Sequence, residues 1–296
     1  MDRVEDRIES SLPYPLESTI PASPDLKPKA SAKPTEHKKH HAKLTRKHIS
    51  TPDDPYAFLK HFDTIFLIDD SKSMEKHWGE VGMLLEKIAP ICTERDPNGV
   101  DIYFVNHRPR GYLMYAALGF DADRSGYLHI GQSVGVPEMR DNVAGIFGSI
   151  KKLGSHCRLD HRLSYILDQY VHEYERSRRD RGVTGSGNTV RPLNLIVITA
   201  GVTDDNPYDT LIRTARKLDV LGAPPYQVGV QFFRVGDDEG ARQKLDFADD
   251  GLSDAFDIRD IVDTTTWGGK MGDLSPDAVL KVVLGAVERS IDKQKE

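Results

Sequence analysis

The chain has 296 residues, 38% apolar and 29% charged, with a formal net charge of −6. That length gives one or two domains with enough chain to bury a core, and the negative balance argues against a whole-chain polyanion binder. Two cysteines, Cys92 and Cys157, are too few for a disulfide framework and suit a reducing compartment, so a cytoplasmic location is expected, with the nucleus as the alternative.

Residues 1–20 lack the apolar stretch of a secretory signal, and no apolar run in the chain approaches the roughly 18 residues of a membrane span. No membrane partner is expected. Residues 1–52 are rich in Pro, Ser, Lys and His and carry no periodic apolar pattern, so they are expected to form a disordered tail ahead of a domain over 53–296. Within the tail, "EHKKHHAKLTRKH" (36–48) is basic and His-rich. It reads as a solvating tail, with a nuclear-targeting or polyanion-binding arm as the sharper alternative; His37, His40, His41 and His48 lack a metal-ligand spacing.

From residue 55 strand and helix signals alternate. "TIFLID" (64–69) is a short continuous apolar run, as in a strand covered on both faces. A helix is predicted over 80–96 and a strand over 99–107, and the Gly-rich 108–136 is irregular with a short strand at 112–118. Helices follow at 137–151 and 159–178, then a Gly/Ser/Arg-rich surface loop at 179–192. "LNLIVITAG" (193–201) is the strongest strand signal. A helix at 207–220, strand 226–236, helix 238–248, strand 260–265 and a last helix at 275–293 complete the pattern. Phe232 and Phe233 read as core, Trp78 as a helix-face anchor, and Trp267 as a surface residue in a Gly-rich turn. This alternation predicts an α/β domain with a mostly parallel sheet, which binds ligands at the carboxyl ends of its strands.

One such end is "DDSKS", Asp69 to Ser73. A serine nucleophile at Ser71 would need a base and an oxyanion hole, and neither G-x-S-x-G nor D-x-D-x-T is present. A helix cap at Ser73 accounts for one or two of the residues, but not for a carboxylate at the end of a buried strand. A metal site accounts for more: Asp69, Ser71 and Ser73 at alternate positions offer hard oxygen ligands of the kind Mg²⁺ takes.

"FLIDDSKSM" resembles the opening of a von Willebrand factor A-type (vWA) domain with its metal-ion-dependent adhesion site. "VDIYFVNH", "RLSYILDQYV", "LNLIVITAGVTDD", "YQVGVQFFRVGDD", "IRDIVDTT" and "LKVVLGAVERSIDK" extend the resemblance over about 57–293, in the order of intracellular vWA domains of fungal type. The resemblance implies a three-layer, doubly wound α/β fold: a six-stranded, mainly parallel sheet with helices on both faces and one antiparallel edge strand. It implies a non-enzymatic protein–protein interaction module, in which an acidic side chain of the partner completes the coordination of a metal. Asp69 would then orient waters, and Ser71 and Ser73 would ligate.

Two loops depart from that pattern. Where the family has a threonine, this chain has "GSHCRLDHRL"; Cys157 corresponds best, with Ser155 and His156 as the alternatives. Where the family has I-T-D-G, this chain has "ITAG", so Ala200 replaces a carboxylate. Asp204 is a further candidate ligand, Asp205 lies beside it, and Asp70 is expected to point away from Asp69. A protonated thiol is a poor Mg²⁺ ligand, so a degenerate, weakened Mg²⁺ site is expected. His156, Cys157 and His161 could supply softer donors but lack the four-ligand spacing of zinc, and read as an exposed loop capped by Asp160. The rival functional readings are a polyanion or nucleic-acid contact through 36–48 and a hydrolase using Ser71.

Overall fold

The computed structural model describes residues 56–96, 98–109, 126–131, 143–184, 190–267 and 281–286. The chain divides into Met1–Ala42 and Lys43–Glu296, and every described residue lies in the second unit. The expected tail (1–52) and the short strand at 112–118 lie outside the described residues.

Six strands form one sheet: β1 (Asp63–Ile68), β2 (Val100–Phe104), β3 (Tyr127–Ile130), β4 (Leu193–Thr199), β5 (Val228–Val235) and β6 (Val262–Trp267). Their order is β3-β2-β1-β4-β5-β6, parallel throughout except for the antiparallel edge strand β3. Every residue of β4 and β5 is buried, as required of strands covered on both faces.

The helices are α1 (Trp78–Thr93), α2 (Val143–Ser149), α3 (Leu159–Thr184), α4 (Pro207–Val220), α5 (Glu239–Asp246), α6 (Leu252–Phe256) and α7 (281–286). Alternation of side chains along each strand builds two cores. Phe66, Ile68, Phe104, Ile196, Ile198 and Phe233 pack against α1, α2 and α7. Leu67, Tyr103, Leu195, Val197, Val230 and Phe232 pack against α3, α4, α5 and α6. The chain is therefore a three-layer, Rossmann-like α/β fold. Among the described residues no helix is long and apolar enough to cross a membrane.

Two anchors are polar. Arg162 of α3 is fully buried; it donates to the Phe104 carbonyl at 3.0 Å and lies over the Tyr103 ring. At the other core, Asn194 donates to the Val283 carbonyl (2.7 Å), and the Gln231 side chain accepts the Ala286 N–H (2.8 Å), tying α7 to the sheet.

Several elements differ from the sequence expectation. The edge strand β3 falls in the segment expected to be irregular, because an exposed four-residue edge needs no apolar run. Helix α3 runs on to Thr184 through residues expected in a loop. Its charged end is steadied by Glu175, which pairs with Arg179 one turn on and with Lys217 of α4. Trp267 ends β6 and packs against the first core instead of lying in a surface turn. Asp160 sits in the first turn of α3 and does not cap it, since its buried Oδ1 has no hydrogen-bond partner.

Candidate functional site

In the strand order 3-2-1-4-5-6 the chain winds away from β1 on one side and from β4 on the other. The crevice between their carboxyl ends is the topological switch point, where open α/β sheets bind ligands. Asp69 leaves β1 at that point. The parallel register pairs Ile68 with Ile198, which sets Thr199 beside it.

Asp69 is fully buried, and its carboxylate is surrounded by neutral donors. Oδ1 accepts the Ser71 N–H at 2.9 Å, and Oδ2 accepts the Thr199 hydroxyl at 2.9 Å. The Gly201 N–H donates to Thr199 Oγ1 (2.9 Å), so the threonine proton is left to point at Asp69. The Ser71 hydroxyl and the Cys157 thiol lie beside this carboxylate and favour its charged form. Burial raises the Asp69 pKa, and the neutral hydrogen bonds only oppose it. The same enclosure, with the Asp69 charge beside it, pushes the Cys157 thiol far up, which keeps it a protonated donor.

Ser71 and Ser73 come together, with hydroxyl oxygens 2.8 Å apart. Ser71 is almost fully buried and Ser73 is half-buried. The helix-cap reading does not hold: Ser71, at the start of the Lys72–Met74 3-10 turn, makes no side-chain cap bond, and Ser73 lies inside that turn.

Asp70 turns away from Asp69, as expected, and staples three loops. Its carboxylate accepts the N–H groups of Asn106 (2.7 Å) and His107 (2.8 Å) after β2, and its carbonyl accepts the Gly154 N–H (2.8 Å). The Asn106 amide reaches on to the His156 carbonyl (2.9 Å). Gly154 bridges Ser71 at a point where a Cβ would overlap the Asn106 side chain, so the close approach needs glycine.

Asp204 is committed elsewhere. Its carboxylate accepts the Cys157 N–H at 2.8 Å and faces His156 Nδ1 at 3.3 Å. Asp205 accepts the His161 N–H (3.1 Å) and so caps the first turn of α3, the role expected of Asp160. These acids shape the backbone around 157–161 and make no hydrogen bond to Asp69, Ser71 or Ser73.

The residues present do not fit a divalent cation. Asp69 is the cluster's one carboxylate, burial favours its protonation, and the neutral donors that engage it are the Ser71 N–H and the Thr199 hydroxyl. Ala200 contributes a methyl group and Cys157 a protonated thiol. Mg²⁺ holds to carboxylates and water-rich oxygen sites, and this cluster offers the three hydroxyls of Ser71, Ser73 and Thr199 and a desolvated acid. Among the described residues no group of three or more His, Cys, Asp and Glu could hold a metal, so His156, Cys157 and His161 do not form a zinc set.

Thr199, Asn106 and Gly154 were not marked by sequence reasoning. The strand-end position of Thr199 was the available signal, since aligning the runs 64–69 and 193–199 as parallel neighbours sets it against Asp69. Asn106 and Gly154 carry no comparable spacing.

No family model matches the chain, and no curated protein matches it. Among solved structures, the pilus adhesin SpaC from Lactobacillus rhamnosus GG, in its open conformation, is similar with a TM-score of 0.40 and 13% identity over 78% of this chain and 30% of that one. The chain thus spans less than a third of that adhesin's length.

Proposed function

We propose that the chain is a non-enzymatic interaction module of vWA type that holds a protein partner over the carboxyl ends of β1 and β4, without a metal. The observation that carries this reading is the buried Asp69 at the switch point, held by Ser71 and Thr199 with the Cys157 thiol beside it. This polar cluster braces the loops around it and offers no reactive group. Ser71 bonds through its hydroxyl to Ser73 and through its N–H to Asp69, and no imidazole or amine is among its partners. A hydrolytic serine needs an activating base and access to solvent; Ser71 is almost fully buried, and the group beside it that could serve as a base, Asp69, is an acid whose protonation burial favours. Around the cluster the loop tips are open: Ser155 and His156 are exposed, and Val202 exposes 47% of its surface directly after β4. An exposed aliphatic side chain beside polar tips suits a partner surface.

Affinity capture by the full chain tests the reading. Val202→Arg should abolish capture of the partner that wild type retains. Val220→Arg, at the far end of α4 where the side chain is 83% exposed, should leave it unchanged. Equal capture by all three proteins would contradict a binding surface at this end of the sheet.

A further inference from the structure

A groove of about 730 Å³ opens beside the Ser71–Ser73 turn. Its apolar lining comes from Trp78, Ile150 and Leu153, which all pack with the first core. The Trp78 indole is fixed by stacking on Phe147, with ring centroids 4.5 Å apart. Three exposed ammonium groups, those of Lys72, Lys151 and Lys152, stand on the lining, against one carboxylate, Glu75. None of the three is in an ion pair among the described residues; Lys151 donates to the Gly148 carbonyl at 2.8 Å. Elsewhere some surface cations do pair: Arg213 with Asp168, Lys217 with Glu175, and Arg242 with Glu239 and Asp246.

Three unpaired like charges around an apolar concavity repel one another and raise the local concentration of anions. We infer that this groove binds an acidic peptide segment of a protein partner, with an apolar side chain seated against Trp78 and Leu153 and carboxylates meeting Lys72, Lys151 and Lys152. The inference rests on the reading that partners approach this end of the sheet, and adds where they dock and by what chemistry. Its volume lies in the range of sites that enclose a few side chains. A nucleic-acid backbone would ask for an extended basic track, and the net charge of −6 opposes one.

The test is selection from a phage-displayed library of random peptides with the full chain as bait. Selected peptides should be rich in Asp and Glu around an apolar residue. A labelled selected peptide should lose roughly tenfold or more in affinity to the Lys72→Glu/Lys151→Glu/Lys152→Glu variant, three weak surface contacts being reversed at once. Its binding should also weaken as salt rises from about 50 to about 300 mM. An unchanged urea midpoint would verify that the variant is folded. Selected peptides without acidic enrichment, or binding that survives charge reversal, would overturn the proposal. So would a single-stranded oligonucleotide bound as tightly as the peptide and lost in the same variant. Partner capture that depends on Val202 but survives the lysine reversal would sink the groove alone. Peptide binding that depends on the lysines, with capture indifferent to Val202, would spare the groove and sink the partner surface over β1 and β4.

Discussion

The two ends of the sheet solve the same problem, a carboxylate at a strand terminus, in opposite ways. At the amino end, Arg191 Nη1 donates to Asp63 (2.6 Å), Asp96 (2.7 Å) and Asn98 (2.7 Å), and Nη2 to the carbonyls of Lys60 and Phe62. Asp96 also accepts the Thr64 N–H at 3.0 Å, so one cation joins the entry to β1, the α1–β2 turn and the start of β4. At the carboxyl end, Asp69 accepts from the Ser71 N–H and the Thr199 hydroxyl, with the Cys157 thiol beside it and no cation among the described residues. The charged clasp is closed on itself and is structural. The neutral cradle braces loops whose tips stay open, which is the arrangement a binding end needs.

The contrast breaks first at Arg191. Arg191→Met should destabilise by about 3 kcal/mol in urea unfolding, because it leaves the buried Asp96 carboxylate without its cation. A loss near zero would mean that the clasp is ornamental.

Next comes Gly154→Ala, which drives a methyl group into Asn106 and so into the Asp70 staple. A cost of about 1–3 kcal/mol is expected, with amide chemical shifts moving at Asn106 and His156.

A finer comparison is made at Asp69 itself. Asp69→Ala strands the Ser71 N–H and the Thr199 hydroxyl and should cost about 1–3 kcal/mol. Asp69→Asn keeps an acceptor and should cost less than about 1 kcal/mol at neutral pH, since no cation is left behind. The sign with pH follows from burial. Asp69 binds its proton more tightly in the folded than in the unfolded chain, so its contribution is full below the ordinary value of 3.8 and is lost as the pH rises through the folded value. The stability of wild type relative to Asp69→Asn should therefore fall as the pH is raised from below 3.8. A gap that widens with pH would place a cation beside Asp69.

Much of this organisation is legible in the sequence, for physical reasons that also explain the rest. β1, β4 and β5 are buried on both faces, so their apolar runs declare them. β3 is short and exposed, and the end of α3 is held by ion pairs, so neither leaves an apolar trace. Within the site, Asp69, Ser71 and Ser73 are legible because alternate positions on one loop converge locally. Thr199, 130 residues away from Asp69, and Asn106, 36 residues from Asp70, meet their carboxylates only through sheet pairing. Asp204 and Asp205 look like ligands in the sequence, and their use as caps of the 157–161 backbone appears only once α3 is placed.

The most direct test of the neutral cradle is a calorimetric titration of Mg²⁺, and then Mn²⁺, into the wild-type chain and into Asp69→Ala, with Ala200→Asp alongside. Wild type and Asp69→Ala should both show no saturable heat, and Ala200→Asp, which restores a second carboxylate, should bind. Saturable binding by wild type that vanishes in Asp69→Ala would contradict a metal-free site.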